Sequence, residues 1–167
     1  MGNFGLELQQ CFKMAEADNN EVIYYQSQFR HGVDEKRRVQ IPSKWRPSRP
    51  ETELTLILWP NGDEPNACLL VLPPDKMHTL AEKIRAMPIA ESKAAALRRQ
   101  LGSKMAGVTL DKAGRICLPD AMARAVKIDK EALLVGLVDQ FEIWNPERYE
   151  KVDTADAGLL PEALKLI

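Results

Sequence analysis

The sequence predicts a β-rich mixed α+β fold made of two copies of one unit, with short helices at its periphery. Three observations carry this reading. Asp34-Glu35-Lys36-Arg37-Arg38-Val39-Gln40-Ile41-Pro42 and Asp111-Lys112-Ala113-Gly114-Arg115-Ile116-Cys117-Leu118-Pro119 both read D-x-x-x-R-[VI]-x-[IL]-P, at an offset of 77 residues. A second match follows each: the segment 68–75 lines up with 140–147, at an offset of 72. Apolar residues alternate around both motifs, with the period of a half-buried strand. The difference between the offsets is taken up by a longer first-copy loop, Asn61-Gly62-Asp63-Glu64-Pro65. The copies span residues 24–87 and 106–152, with an N-terminal extension over 1–23, a connecting helix over 88–105 and a C-terminal tail over 153–167.

Each copy opens on a strand, marked by Phe29 and Val33 or by Val108 and Leu110. A tight turn carrying D-x-x-x-R follows, then a short strand in which Val39 and Ile41, or Ile116 and Leu118, alternate with polar residues. Pro42 and Pro119 end that strand and suit the first turn of a short helix, and 121–126 has helical composition. Two apolar strands come next, 54–59 with 69–72 and 133–137 with 141–144. Asn61-Gly62 marks the first connection and Asp139-Gln140 the second. Asn145-Pro146-Glu147 then supplies an N-cap, a proline at the first helical position and a carboxylate at the positive helix end. Between the copies, 75–86 and 91–105 read as two helices split by Pro88, the second with a Leu97, Leu101, Met105 stripe.

A chain of 167 residues that is 45% apolar and 28% charged can bury a core and is too apolar for disorder. No apolar stretch approaches the ~20 residues that a bilayer needs, and no secretory signal is visible. Cys11, Cys68 and Cys117 lie far apart, which fits a reducing cytoplasm better than a disulfide framework or a zinc knuckle. The two histidines, His31 and His78, have no metal-ligand spacing, and no nucleophile elbow or glycine-rich phosphate loop occurs. The sequence therefore reads as that of a non-enzyme with no cofactor and no small-molecule substrate. Net charge is −1, yet it is segregated: residues 30–49 carry a local +5, 75–104 a local +4, and the ends of the chain are acidic. Such segregation marks a polyanion-binding face, or basic segments that pair with acidic ones inside the fold.

These residues resemble the MraZ family, whose members carry two AbrB-like (SpoVT-AbrB) units in one chain. The second copy resembles the family's D-x-x-G-R-[IL]-x-[IL]-P through Asp111–Pro119, and its V-G-x-x-x-x-F-E-[IL]-W through 135–144. The resemblance covers about 24–152. It implies swapped hairpin units forming a small pseudo-symmetric β-barrel, assembled into ring-like homo-oligomers. It also implies a cytoplasmic, nucleoid-associated regulator that binds double-stranded DNA at repeated promoter sites of division and cell-wall genes, its own operon included. The motif turns would form the DNA face. One departure is Arg37, which stands where the family has glycine; a side chain in left-handed geometry costs ~1–2 kcal/mol.

On that resemblance, Arg38 and Arg115 are the DNA-contacting residues, since a guanidinium fork matches a phosphate or the guanine edge. Asp34 and Asp111 organise the turns by accepting backbone N–H bonds. Lys36, Arg37 and Lys112 are phosphate contacts that set affinity rather than sequence preference. An Asp–Arg pair that merely ties each hairpin together fits the same spacing. Trp45, Trp59 and Trp144 read as packing residues, His31 as a surface imidazole, and Arg98 and Arg99 as a solvated helix face. The competing reading is an oligomeric barrel that has lost DNA binding and serves as a protein interaction platform. The DNA-binding reading requires Arg38 and Arg115 to reach solvent on one side of the molecule.

Overall fold

A computed structural model of the chain describes residues 21–167. The expected N-terminal extension lies almost wholly outside the described residues. The elements run β1 (Gln28–Gly32), β2 (Arg38–Gln40), a 3-10 turn (Ser43–Trp45), β3 (Glu53–Asn61), β4 (Glu64–Leu72), α1 (Pro74–Arg85), α2 (Ser92–Gly102), β5 (Met105–Thr109), β6 (Arg115–Cys117), α3 (Asp120–Ala125), β7 (Glu131–Gly136), β8 (Phe141–Trp144), α4 (Pro146–Ala163) and a final 3-10 turn. The fold is mixed α+β and strand-rich, as the alternation predicts.

The strands exchange partners between the copies. A six-stranded antiparallel sheet has the order β1-β7-β8-β4-β3-β5, and β2 pairs with β6 in a separate ribbon. Thus β1 of the first copy pairs with β7 of the second, with Phe29 opposite Leu134. Correspondingly, β5 of the second copy pairs with β3 of the first, with Val108 opposite Leu54. The ladder does not close into the barrel expected from the sequence: the sheet ends at β1 and β5. The ribbon is joined to it by the single bridge Val33–Val39. β2 and β6 are three residues long, each stopping two residues before a proline, Pro42 or Pro119.

The ribbon nevertheless closes the core. Val39, Ile41, Ile116 and Leu118 pack with Leu54, Leu56, Leu69, Val71, Leu134 and Phe141 in one buried cluster. Trp45 sits in it, edge-on to Tyr25 and Phe29 at ring-centroid distances of 5.6 and 5.2 Å. Burial pushes the Tyr25 hydroxyl up to about 12, with Asp75 and Glu21 adding to the effect. Each fully buried Leu, Ile or Phe contributes roughly 1.5–3 kcal/mol. The opposite sheet face is covered as well. Met77, Leu80 and Leu101 pack over Ile57, Leu70 and Leu72, while Tyr149 and Val152 pack over Cys68, Val135 and Trp144. Burial on both faces explains why 67–72 is apolar without a break.

Several boundaries differ from the sequence reading. The five extra first-copy residues do not form a loop; they lengthen the β3–β4 ribbon, whose tip is Gly62 with φ +54°. The connecting helix stops at Gly102, and Met105 begins β5 opposite Ile57, so the expected stripe is split between two elements. Leu97, at its start, is exposed. The second hairpin connection is four residues long, because Val138 leaves the hairpin to exchange two backbone hydrogen bonds with Tyr25 (2.8 and 3.0 Å). The expected N-cap at Asn145 is present, its Oδ1 accepting from the N–H groups of Glu147 and Arg148 at 2.9 and 3.2 Å. The helix it starts runs on through the expected tail, leaving Leu159, Leu160, Leu164 and Ile167 exposed.

Gly136, the glycine of the V-G pair, is needed for a close approach: a Cβ there would collide with the backbone of Tyr25. Gly62 faces open space and needs only its positive φ. Gly136→Ala is expected to lower the free energy of unfolding by about 1–3 kcal/mol in urea titration, more than Gly62→Ala does. An equal or reversed ranking would contradict the packing described for Tyr25.

Candidate nucleic-acid interface

The two motif turns are built alike. In the first, Asp34 Oδ1 accepts from the backbone N–H groups of Lys36 (3.0 Å) and Arg38 (2.9 Å), and the Arg37 N–H donates to the Asp34 carbonyl at 3.0 Å. In the second, Asp111 Oδ1 accepts from Ala113 and Arg115, both at 2.9 Å, and the Gly114 N–H donates to the Asp111 carbonyl at 3.0 Å. A short acceptor two and four residues before its donors is what aspartate supplies in such turns. The second carboxylate oxygen takes the arginine: Arg38 Nε donates to Asp34 Oδ2 at 2.6 Å, and Arg115 Nε to Asp111 Oδ2 at 2.9 Å. Organisation of the turn and pairing with the arginine therefore occur together at each site.

The antiparallel β2–β6 ribbon brings the turns side by side. Arg38 faces Cys117, Val39 faces Ile116 and Gln40 faces Arg115. Val39 and Ile116 are fully buried, so strand alternation places Arg38, Gln40, Arg115 and Cys117 on the outer face. Arg38 and Arg115 retain 33% and 31% of their side-chain exposure, which puts both within reach of a ligand on one side. Arg115 Nη1 also lies 3.9 Å from Asp34 Oδ2, linking the two turns. Lys36 and Lys112 are exposed beside them.

Each turn is also fastened by the other copy. The Leu118 N–H donates to the Arg37 carbonyl and the Ile41 N–H to the Gly114 carbonyl, both at 2.9 Å. The Gln40 amide donates to the Ala113 carbonyl at 2.8 Å, and the Cys117 thiol, at the equivalent position, to the Lys36 carbonyl at 3.2 Å. The sequence reading missed Gln40 as a site residue. Its only signal is the equal spacing of Gln40 and Cys117 after each motif, which means nothing until β2 is known to pair with β6.

Arg37 is placed differently from the two paired arginines. Its φ is +60°, against +78° at Gly114, so it takes the left-handed geometry of the glycine it replaces. Its side chain turns back onto the chain rather than outward. Nε donates to Asp120 Oδ1 at 3.2 Å and Nη1 to the Ile128 carbonyl at 2.8 Å, with Asp129 at 3.9 Å. Charge-assisted hydrogen bonds of this kind, about 1.5–3 kcal/mol each before allowance for partial exposure, offset a backbone cost of ~1–2 kcal/mol. Trp45 and Trp144 are buried, and Arg98 and Arg99 are exposed, as the sequence reading has them. His31 is less exposed than expected: its ring stacks on Phe29, and its Nε2 is buried without a hydrogen bond. Among the described residues, no group of His, Cys, Asp or Glu forms a metal site, and no helix is long and apolar enough to cross a membrane.

The fold and site together define a strand-rich α+β protein that carries two arginine-bearing turns on one face. Comparison with known proteins gives the family. Residues 104–159 match the family model described as "MraZ protein, putative antitoxin-like". A protein of Clostridium tetani named transcriptional regulator MraZ is 31% identical over 129 residues, covering 77% of this chain and 87% of that one. A protein of the same name from Roseiflexus sp. is 31% identical over 140 residues, covering 83% and 94%. One from Thermomicrobium roseum is 33% identical over 122 residues, covering 72% and 81%. The chain belongs to the MraZ family.

The carboxyls of Asp34 and Asp111 are held below the ordinary value of 3.8, first by the backbone N–H of the arginine four residues on and then by its side chain. A depressed folded value makes their stabilisation of the turns complete above the ordinary aspartate range. It is lost as pH falls through the lowered values. Carboxyl NMR titration is expected to place both midpoints below 3.8. Arg38→Ala is expected to raise the Asp34 midpoint only part of the way, because the backbone N–H survives. Full return to the ordinary value would assign the effect to the side chain alone.

Proposed function

We propose that this chain is a non-enzymatic transcriptional regulator that binds double-stranded DNA in a sequence-specific way through the outer face of the β2–β6 ribbon. One observation carries the reading: two arginines, each held by an aspartate of its own turn, stand side by side on one exposed face. Held guanidinium groups lose little freedom on binding, and their fork matches the guanine O6/N7 edge or a phosphate. A two-stranded ribbon also fits the width of the major groove. On this reading Arg38 and Arg115 contact DNA, Lys36 and Lys112 contact phosphates, and Asp34 and Asp111 organise the turns.

The similarity to proteins named transcriptional regulators supports the same assignment. We place its sites at repeats in the promoters of division and cell-wall genes, its own operon included, with the protein in the cytoplasm at the nucleoid. Self-association into a ring-like homo-oligomer multiplies the turns and matches repeated subunits to repeated sites. In that assembly the open sheet and the β2–β6 ribbon together form the core from which the turns project.

Two measurements test the assignment. Binding to a direct-repeat promoter fragment is expected to weaken steeply with salt, and Arg115→Ala to lose at least about tenfold in affinity. Retention of binding by Arg115→Ala, or failure of the unmodified protein to distinguish promoter from random DNA, would favour an interaction platform instead. The second measurement uses the exposed thiol of Cys117 on the same face, Cys68 being buried. Promoter DNA is expected to slow alkylation of Cys117 in peptide-mapped mass spectrometry. Equal rates with and without DNA would place the interface elsewhere.

A further inference from the structure

We propose that Arg37 is a positioning residue, a clamp that fastens the first motif turn to the second copy, and that it does not touch nucleic acid. Its bearing on DNA rests on the function proposed above; its structural content does not.

The argument starts from how the second turn is held. Gly114 is buried and left-handed, and a Cβ there would strike the guanidinium of Arg46. Arg46 comes from the first copy, where its Nε donates to the Ile41 carbonyl at 2.8 Å. An arginine of one copy thus lies across the glycine of the other copy's turn. At the motif offset of 77, the counterpart of Arg46 is Ala123, which is fully buried and has no guanidinium to offer. The first turn supplies the missing group itself. Arg37, at the glycine position, extends its side chain into the second copy and reaches Asp120 and the Ile128 carbonyl. The Ile128 N–H in turn donates to the Ala123 carbonyl at 2.9 Å, so the Arg37 guanidinium lies in the loop that Ala123 anchors. The pairs Gly114 with Arg46, and Arg37 with Ala123, are the same arrangement with the arginine moved from one side of the contact to the other.

This accounts for three observations together. The Asp34 turn keeps every hydrogen bond of the Asp111 turn despite lacking glycine. The side chain at 37 is largely covered, with 23% exposure, although it follows two exposed residues. Asp120, whose equivalent in the first copy is Ser43, is present to receive it and is also paired with Arg124. A fork that donates from Nε and Nη1 at once is a task for arginine; a lysine ammonium cannot span both acceptors.

The test uses Arg37→Lys and Arg37→Ala, read first without DNA. Hydrogen exchange of the Lys36 and Arg38 amides is expected to quicken by about tenfold in both variants, while that of Ala113 and Arg115 stays unchanged. Lysine at 37 keeps the charge, so its failure to rescue separates a fork from a simple cation. The slope of log affinity for the promoter fragment against log salt is then expected to remain that of the unmodified protein. A slope smaller by about one would make Arg37 a phosphate contact and overturn the proposal. So would unchanged amide exchange in Arg37→Ala, or full rescue by lysine. Absence of promoter binding in the unmodified protein would sink the regulator reading alone, with the exchange measurement still deciding the clamp.

Discussion

The site depends on the pairing of β2 with β6. Each strand contributes three residues, too few to hold a place in any sheet by itself. Across the copies they form a ladder extended at both ends by turn carbonyls that accept from Leu118 and Ile41. The buried pair Val39 and Ile116 roofs the core, and burying those side chains forces their neighbours outward. A slip of one residue in this register would bury the two arginines and expose the two aliphatic residues. The hydrophobic effect that closes the core therefore also aims the guanidinium groups, so stability and the geometry of this face share one cause.

The duplication was legible because it is written in residue types that each have a physical reason. Asp34 and Asp111 close turns, Pro42 and Pro119 end strands, and Asn145 caps a helix; each of these appears in the structure where the pattern puts it. Partner choice was not legible in the residues themselves; only the family resemblance implied swapped hairpins. Nothing in Val39 or Phe29 says that its strand pairs with the other copy, since either pairing satisfies the same alternation. The same blindness hid Gln40, whose partner lies 73 residues away in the chain. Lengths misled as well: the residues from Asn61 to Pro65 look like loop by composition, yet cross-strand pairing of Asn61 with Glu64 makes them the end of a ribbon. Met105 reads as helical by periodicity but is drawn into β5 by the edge of β3.

Arg37 shows how a local rule can be broken without loss of the structure it protects. The glycine preference at that position is a preference for a φ, and a side chain is tolerated where it finds partners. The surroundings decide between residues: a side chain at Gly114 would strike Arg46, whereas Arg37 reaches Asp120 and the Ile128 carbonyl. Equivalent positions in a duplicated chain thus answer to different neighbours, and the two turns need not be read as interchangeable.

Charge on the face sets how such a site works under the proposed function. Lys36, Arg38, Lys112 and Arg115 share it with Glu35 and with Asp34 and Asp111, whose carboxyls stay ionised across the physiological range. The acids cancel much of the attraction that a bare basic patch would exert on any polyanion, and the counterion release available to one chain is correspondingly small. One chain is therefore a poor non-specific binder. Its discrimination comes from fixed geometry, and useful affinity requires several copies engaged at once, where a second contact forms at the effective concentration set by the first. Under the proposed function, weak single faces and repeated presentation go together, and the modest charge of this chain is compatible with a DNA binder that acts as an assembly.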